Sequence, residues 1–83
     1  MLSPRKHLDL DSSLLRVASI ILKELIRKRA VGFETLRNLI VRRTGDDGEL
    51  MFLPALQFLF LLGKIEYLSK NDVIELLDGN HAN

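Results

Sequence analysis

Leu50-Met51-Phe52-Leu53-Pro54-Ala55-Leu56-Gln57-Phe58-Leu59-Phe60-Leu61-Leu62 is apolar at every position but Gln57, and its placement decides how the rest of the chain is read. Projected at about 100° per residue, Phe52, Leu53, Leu56, Leu59 and Phe60 fall on one face of a helix, and Met51, Pro54, Phe58 and Leu61 fall on the other. The first set is expected in the core. The second needs cover of its own, because a helix that is apolar all round belongs inside a large protein, a membrane or a complex, and the chain has 83 residues. A domain of that size buries only roughly 60 to 65% of the surface that it exposes when unfolded. At ~25 cal/mol per Å², four such side chains left wet would forgo a large part of the stability expected of so small a fold. Met51, Pro54, Phe58 and Leu61 are therefore expected to meet another protein.

Upstream of this segment the pattern is helical twice. A first helix is expected from Asp11-Ser12-Ser13, which can cap free amides, to about Lys28. Its core stripe is Leu14, Val17, Ala18, Ile21 and Leu25, and Leu15, Leu22 and Ile26 widen it to about half the circumference; these last three join the expected protein interface. Ala30-Val31-Gly32 reads as a very short strand, and a second helix is expected over Phe33 to Thr44, burying Phe33, Leu36, Leu39 and Ile40. Gly45-Asp46-Asp47-Gly48 is a turn by composition. The third helix, roughly Leu50 to Leu62, stops at Gly63, which suits the left-handed residue just past a helix end. Ile65 and Tyr67 alternate with Glu66, Ser69-Lys70-Asn71-Asp72 turns the chain, and Val73 to Leu77 returns as a second strand. The expected fold is mainly α with a small β-hairpin, winged-helix-like, over residues 11–78. Residues 1–10 read as an N-terminal arm in which Pro4 breaks helix, and residues 79–83 as a polar tail.

Composition removes several functions. The chain has no cysteine, so neither a disulfide framework nor a thiolate metal site is available. The opening residues lack the apolar core of a secretory signal, and the apolar run is shorter than the ~20 residues that a membrane span needs; a cytoplasmic protein is expected. Catalysis is not expected, because the two histidines, His7 and His81, lie near the ends and give no nucleophile an ordered base. The carboxylate pairs Asp9/Asp11 and Asp46/Asp47 read as arm and turn residues. No phosphate-binding glycine loop is present, and no spacing suits a metal, so no cofactor, no metal and no small-molecule substrate are expected.

Charge separates the two halves. Residues 1–48 carry ten Lys/Arg against six Asp/Glu, whereas residues 49–83 carry two against five. Arg27, Lys28, Arg29, Arg37, Arg42 and Arg43 could meet phosphates, whose neutralisation supplies most non-specific DNA affinity, and a small winged-helix DNA-binding regulator is the alternative reading. Sequence-specific reading is a poor fit, because the third helix would enter the major groove with Gln57 as its one polar side chain. A homodimeric interaction module, pairing one patch with itself, is a third reading.

The residues also resemble a known family. Met1-Leu2-x-Pro4-x-Lys6-His7, Leu14-Leu15, Ile20-Ile21-Leu22 and the block Phe52-x-x-Ala55-Leu56-x-x-Leu59-Phe60-x-Leu62-Gly63-x-Ile65-Glu66 look like the small middle component of ABC-three-component systems, in its sixth class, related to the small subunit of Lamassu-type defence systems. The resemblance covers residues 1–77. It implies a non-catalytic bacterial subunit that joins an SMC-like or Rad50-like ATPase and an effector, often a nuclease, in antiphage or anti-plasmid defence, with ATP and metal chemistry belonging to those partners. Arg5, Lys6 and His7 would then form an arm that touches a partner.

Overall fold

The computed structural model describes residues 4–77, and side chains from Ser13 onward. Three helices and three strands follow one another as α1 (Pro4–Lys28), β1 (Ala30–Gly32), α2 (Phe33–Thr44), α3 (Asp46–Leu61), β2 (Ile65–Leu68) and β3 (Val73–Leu76). The strands form one antiparallel sheet in the order β1-β3-β2. This is the mainly helical, winged-helix-like arrangement expected from the sequence, with β2 and β3 as the wing and β1 closing the other edge of the sheet.

α1 begins at Pro4 rather than after Ser13. Proline suits the first helical position, where its missing N–H costs no bond and its fixed φ is already helical, so Pro4 opens the helix instead of breaking it. Residues 4–10, expected as an arm, are thus the first turns of α1, and residues 1–3 and 78–83, the expected tail among them, lie outside the described part. The turn expected over Gly45 to Gly48 shrinks to Gly45 alone. At φ 67° and ψ −135°, Gly45 holds a conformation that L side chains rarely adopt. Its N–H closes α2 on the Val41 carbonyl at 2.7 Å, and its carbonyl accepts from Glu49 at 3.1 Å as α3 starts. One residue therefore reverses the chain between two helices, and Asp46, Asp47 and Glu49 place carboxylates in the first turn of α3, where the helix dipole favours them.

The far end of α3 closes as a Schellman motif. The Gly63 N–H reaches the Phe60 carbonyl at 2.9 Å, the Lys64 N–H reaches the Leu59 carbonyl at 2.9 Å, and Gly63 sits at φ 75°. The chain leaves directly into β2. Three backbone bonds outside the regular ladders then fix the wing. Leu76 donates to Arg29 at 2.8 Å, Leu77 donates to Lys64 at 2.8 Å, and Phe33 donates to the Asp72 carbonyl at 2.9 Å. That last bond ties the wing turn to the start of α2.

Val17, Ala18, Ile21 and Leu25 of α1, Leu36 and Ile40 of α2, Phe52, Ala55, Leu56 and Leu59 of α3, and Val31, Ile65 and Ile74 of the sheet make one buried core. The orientation of α3 within it corrects the sequence-based projection. Met51 and Phe58, expected to face outward, are half-buried and pack against the core, whereas Leu53 and Phe60, expected inside, are exposed. Averaged over the buried residues, α3 is rotated by about 60° around its axis from the expected setting.

The cause is Gly48. A Cβ there would collide with the Thr44 hydroxyl and would stand 2.8 Å from the Ile40 carbonyl oxygen and 2.9 Å from Ile40 Cγ2. Gly48 is thus where the start of α3 lies against the last turns of α2. With Ala55 it makes the small side of the helix, and close packing turns that side inward.

Candidate functional site

Rotation of α3 sets what the domain shows to its surroundings. Leu50, Leu53, Pro54, Gln57, Phe60 and Leu61 are exposed, and at 100° per residue they occupy about 120° of arc along the helix. Leu61 is 83% exposed, Leu50 70%, Phe60 58% and Leu53 57%. Pro54 has no N–H for the Leu50 carbonyl, and both residues lie on this exposed arc, where water or another chain can satisfy that oxygen. An apolar strip of this kind, broken only by Gln57, is the sort of surface through which small proteins make contacts. It stands on the helix and the face that a winged-helix DNA reader turns toward the major groove.

Beside the strip, α3, the start of α2 and the wing enclose an apolar groove of about 270 Å³, lined by Phe33, Leu56, Gln57, Phe60, Ile65, Tyr67 and Ile74. Aromatic rings set its shape. Phe33 meets Phe52 edge-on with centroids 5.3 Å apart and Tyr67 edge-on at 6.2 Å, the arrangement that ring quadrupoles favour. The Tyr67 hydroxyl donates to Asp72 Oδ1 at 2.5 Å, and the carboxylate it faces holds its pKa above the ordinary phenol value. Tyr67 thereby stays neutral, and its ring is steadied over the groove mouth. No residue of this groove was singled out from the sequence for contact. Its components come from three separate stretches and are ordinary core residues when read along the chain.

The other interface residues drawn from the sequence divide. Pro54 and Leu61 are exposed as expected, Leu15 and Ile26 stand exposed on α1, and Leu22 between them is half-buried. Arg5, Lys6 and His7 fall in the first turns of α1, and their side chains lie outside the described residues, as does His81.

Of the six cations considered for phosphate contact, three are already held by carboxylates. Arg27 Nη2 and Lys28 Nζ bind the two oxygens of Glu24 at 3.0 and 3.4 Å, and Arg37 Nη2 binds Glu49 Oε2 at 2.7 Å. Among the described residues, Arg29, Arg42 and Arg43 have no carboxylate within ion-pair distance. Glu24 is the one buried charged side chain of the described core. Its hydrogen bond from Arg27 outweighs the opposing effect of burial and, with Lys28, holds its carboxyl below the ordinary value. A carboxyl lowered in the fold adds stability above its unfolded pKa, and that stability is lost as the pH falls through the folded value. Glu24→Gln should therefore cost a few tenths to about 1 kcal/mol near neutral pH. Its urea midpoint should converge on that of the parent chain as the pH is taken from 6 to 3; a gap that stays constant over that range would contradict the assignment.

Among the described residues no group of His, Cys, Asp and Glu is placed to hold a metal ion, and no helix is long and apolar enough to cross a membrane. Residues 29–77, more than half of the chain, match the family model for Middle Component 8 of the ABC-three component (ABC-3C) system. The matched stretch contains the whole groove lining, all of α3 and the Phe52 to Glu66 block. It leaves out all of α1 and with it the Lys6-His7 motif. The class matched is the eighth, where the resemblance drawn from sequence named the sixth. No curated protein and no solved structure gives a significant match.

Proposed function

The chain belongs to the Middle Component 8 family of ABC-three-component systems, and from that premise we propose that the outward strip of α3, with the groove beside it, docks this adaptor onto a larger ATPase subunit of its system. As a middle component it is an adaptor-type part that works with the other components, and the family is not one known for catalysis. The finer reading is of a cytoplasmic, non-catalytic subunit that joins an SMC-like or Rad50-like ATPase to an effector, such as a nuclease. The setting is bacterial antiphage or anti-plasmid defence, in the manner of Lamassu-type assemblies. ATP hydrolysis and metal chemistry then belong to the partners. In this reading the folded body is the docking module, and Leu15, Leu22 and Ile26 on α1 extend the contact, with Arg5, Lys6 and His7 reaching a partner from the start of the same helix.

One observation carries the reading: Leu50, Leu53, Phe60 and Leu61 are exposed together on one face of α3, the face that a DNA reader would furnish with donors and acceptors. The basic readings of the chain gain little from that face, which offers phosphates no charge.

Phe58 is unsuited to testing the strip, since it packs on the core and a charge there would unfold the domain. Leu53→Asp with Leu61→Asp changes two exposed positions. Co-expressed with the products of the neighbouring genes, the parent chain should co-purify in a stoichiometric complex, and the double variant should be lost from it while its own stability stays within ~1 kcal/mol of the parent's. A complex that survives the double change would overturn the reading. If the parent chain instead forms a tight dimer alone and the same pair of substitutions splits it, the strip binds a second copy.

A further inference from the structure

The cleft between α1 and α2 has a chemistry unlike that of the α3 strip. It measures about 230 Å³ and is lined by Ile20, Lys23, Glu24 and Arg27 of α1 and by Leu39 and Arg43 of α2. No residue is shared with the apolar groove. Ile20 and Leu39 are half-buried and pack on the core, so the floor is apolar. Lys23, Arg27 and Arg43 are all exposed around it. The one acid in the wall, Glu24, is already neutralised from within by Arg27 and Lys28. Among the described residues, Lys23 and Arg43 have no carboxylate within ion-pair distance. Arg27 offers only one amino group to Glu24, leaving the other donors of its fork free.

We propose that this cleft is a second docking site, which takes an acidic, amphipathic segment of a partner protein: an apolar side chain against Ile20 and Leu39, flanked by carboxylates on Lys23, Arg27 and Arg43. Charge complementarity identifies the occupant as an acid, and the floor identifies it as a peptide. A phosphate backbone gains nothing from two aliphatic side chains at the bottom of a cleft, whereas an acidic peptide can fill the floor with a leucine-like group. Lys23 and Arg27 lie one turn apart, about 6 Å along α1, so carboxylates spaced by about one helical turn suit them. With the α3 strip, the domain then presents two separate surfaces of unlike chemistry, as a component placed between two others requires. The cleft does not depend on the α3 reading, and the two fail separately because their residues do not overlap.

The test uses the full chain, ¹⁵N-labelled, in about 0.15 M salt, where weak surface attraction is screened. Its probes are a 12-residue peptide of Asp and Glu around one central Leu, the same peptide with Ser for Leu, a Lys/Arg counterpart around Leu, and a short duplex DNA. Addition of the acidic Leu peptide should move the amide signals of Ile20, Lys23, Arg27, Leu39 and Arg43. Binding should weaken at least ten-fold in the double variant Lys23→Glu/Arg43→Glu and several-fold when Ser replaces Leu. The basic counterpart should bind the double variant better than it binds the parent, which also shows that the variant is folded. The proposal is overturned if no signal of the cleft moves, if the Ser peptide binds as well as the Leu peptide, or if duplex DNA moves the same signals with higher affinity and equal sensitivity to the double variant.

Discussion

Phe52→Ala should cost about 3–5 kcal/mol, the range for a buried phenylalanine truncated in a packed core, and leave the domain substantially unfolded near 37 °C. Phe52 is 1% exposed and sits at the centre of α3, between the core and the edge-on ring of Phe33. Stability for a chain of 83 residues is of the order of 4–12 kcal/mol at ~0.05–0.15 kcal/mol per residue, so one side chain carries a large share. Its loss should also be felt at the groove. Phe33 spans from Phe52 to Tyr67, and with the first ring gone the wing has less to hold it against α2. Urea denaturation followed by far-UV circular dichroism gives the measurement. A loss below ~1 kcal/mol would mean that Phe52 is not the keystone of the core that its burial indicates.

Gly48→Ala should lower stability by about 1–3 kcal/mol, although helix propensity taken alone favours alanine by about 1 kcal/mol. Two effects oppose each other, and distance decides between them. The added methyl would stand 2.8 Å from the Ile40 carbonyl oxygen, a backbone atom with little freedom to move, and would meet Ile40 Cγ2 and the Thr44 hydroxyl as well. The Thr44 hydroxyl already donates to that same carbonyl at 2.7 Å, so it too has somewhere it must stay. Overpacking of this kind costs ~1–3 kcal/mol and sometimes more, enough to reverse the propensity gain, and relief requires α3 to move off α2. The thermal midpoint should fall by roughly 4–24 °C, at ~4–8 °C per kcal/mol for a domain of this size. A midpoint that rises would show that the two helices are less closely seated than described. On the proposed docking through α3, a shift of that helix should also weaken partner binding at Leu53 and Leu61.

Much of the frame was legible along the chain because it rests on local chemistry. α2 occupies Phe33–Thr44 and β1 occupies Ala30–Gly32, as periodicity and the Ala-Val-Gly break indicate, and Gly63 ends α3 through the left-handed conformation that its position suggests. Departures came where two local signals compete. Pro4 can stop a helix or open one, and it opens α1; Asp46 and Asp47 can belong to a turn or to the first turn of a helix, and Gly45 alone absorbs the reversal so that they join α3.

The α1–α2 cleft is the clearest case of a feature hidden in sequence. Lys23, Arg27 and Arg43 are solvated helix residues when read singly, and Ile20 and Leu39 are ordinary members of helical stripes. Only the packing of α2 on α1 brings three cations around an apolar floor. The same holds for the aromatic groove, whose rings come from α2, α3 and the wing.

By itself the sequence determined the order and nature of the elements, the excess of apolar surface on the third helix, the division of charge between the halves, and kinship with the middle components of ABC-three-component systems. Which side of that helix faces outward was decided only by tertiary structure. A helix apolar in nearly every direction has no periodic asymmetry to declare its inner face. Its setting is fixed by packing in three dimensions, with the small residues Gly48 and Ala55 turned inward and Gly48 close against the backbone of α2, and it leaves Leu50, Leu53, Phe60 and Leu61 to the solvent.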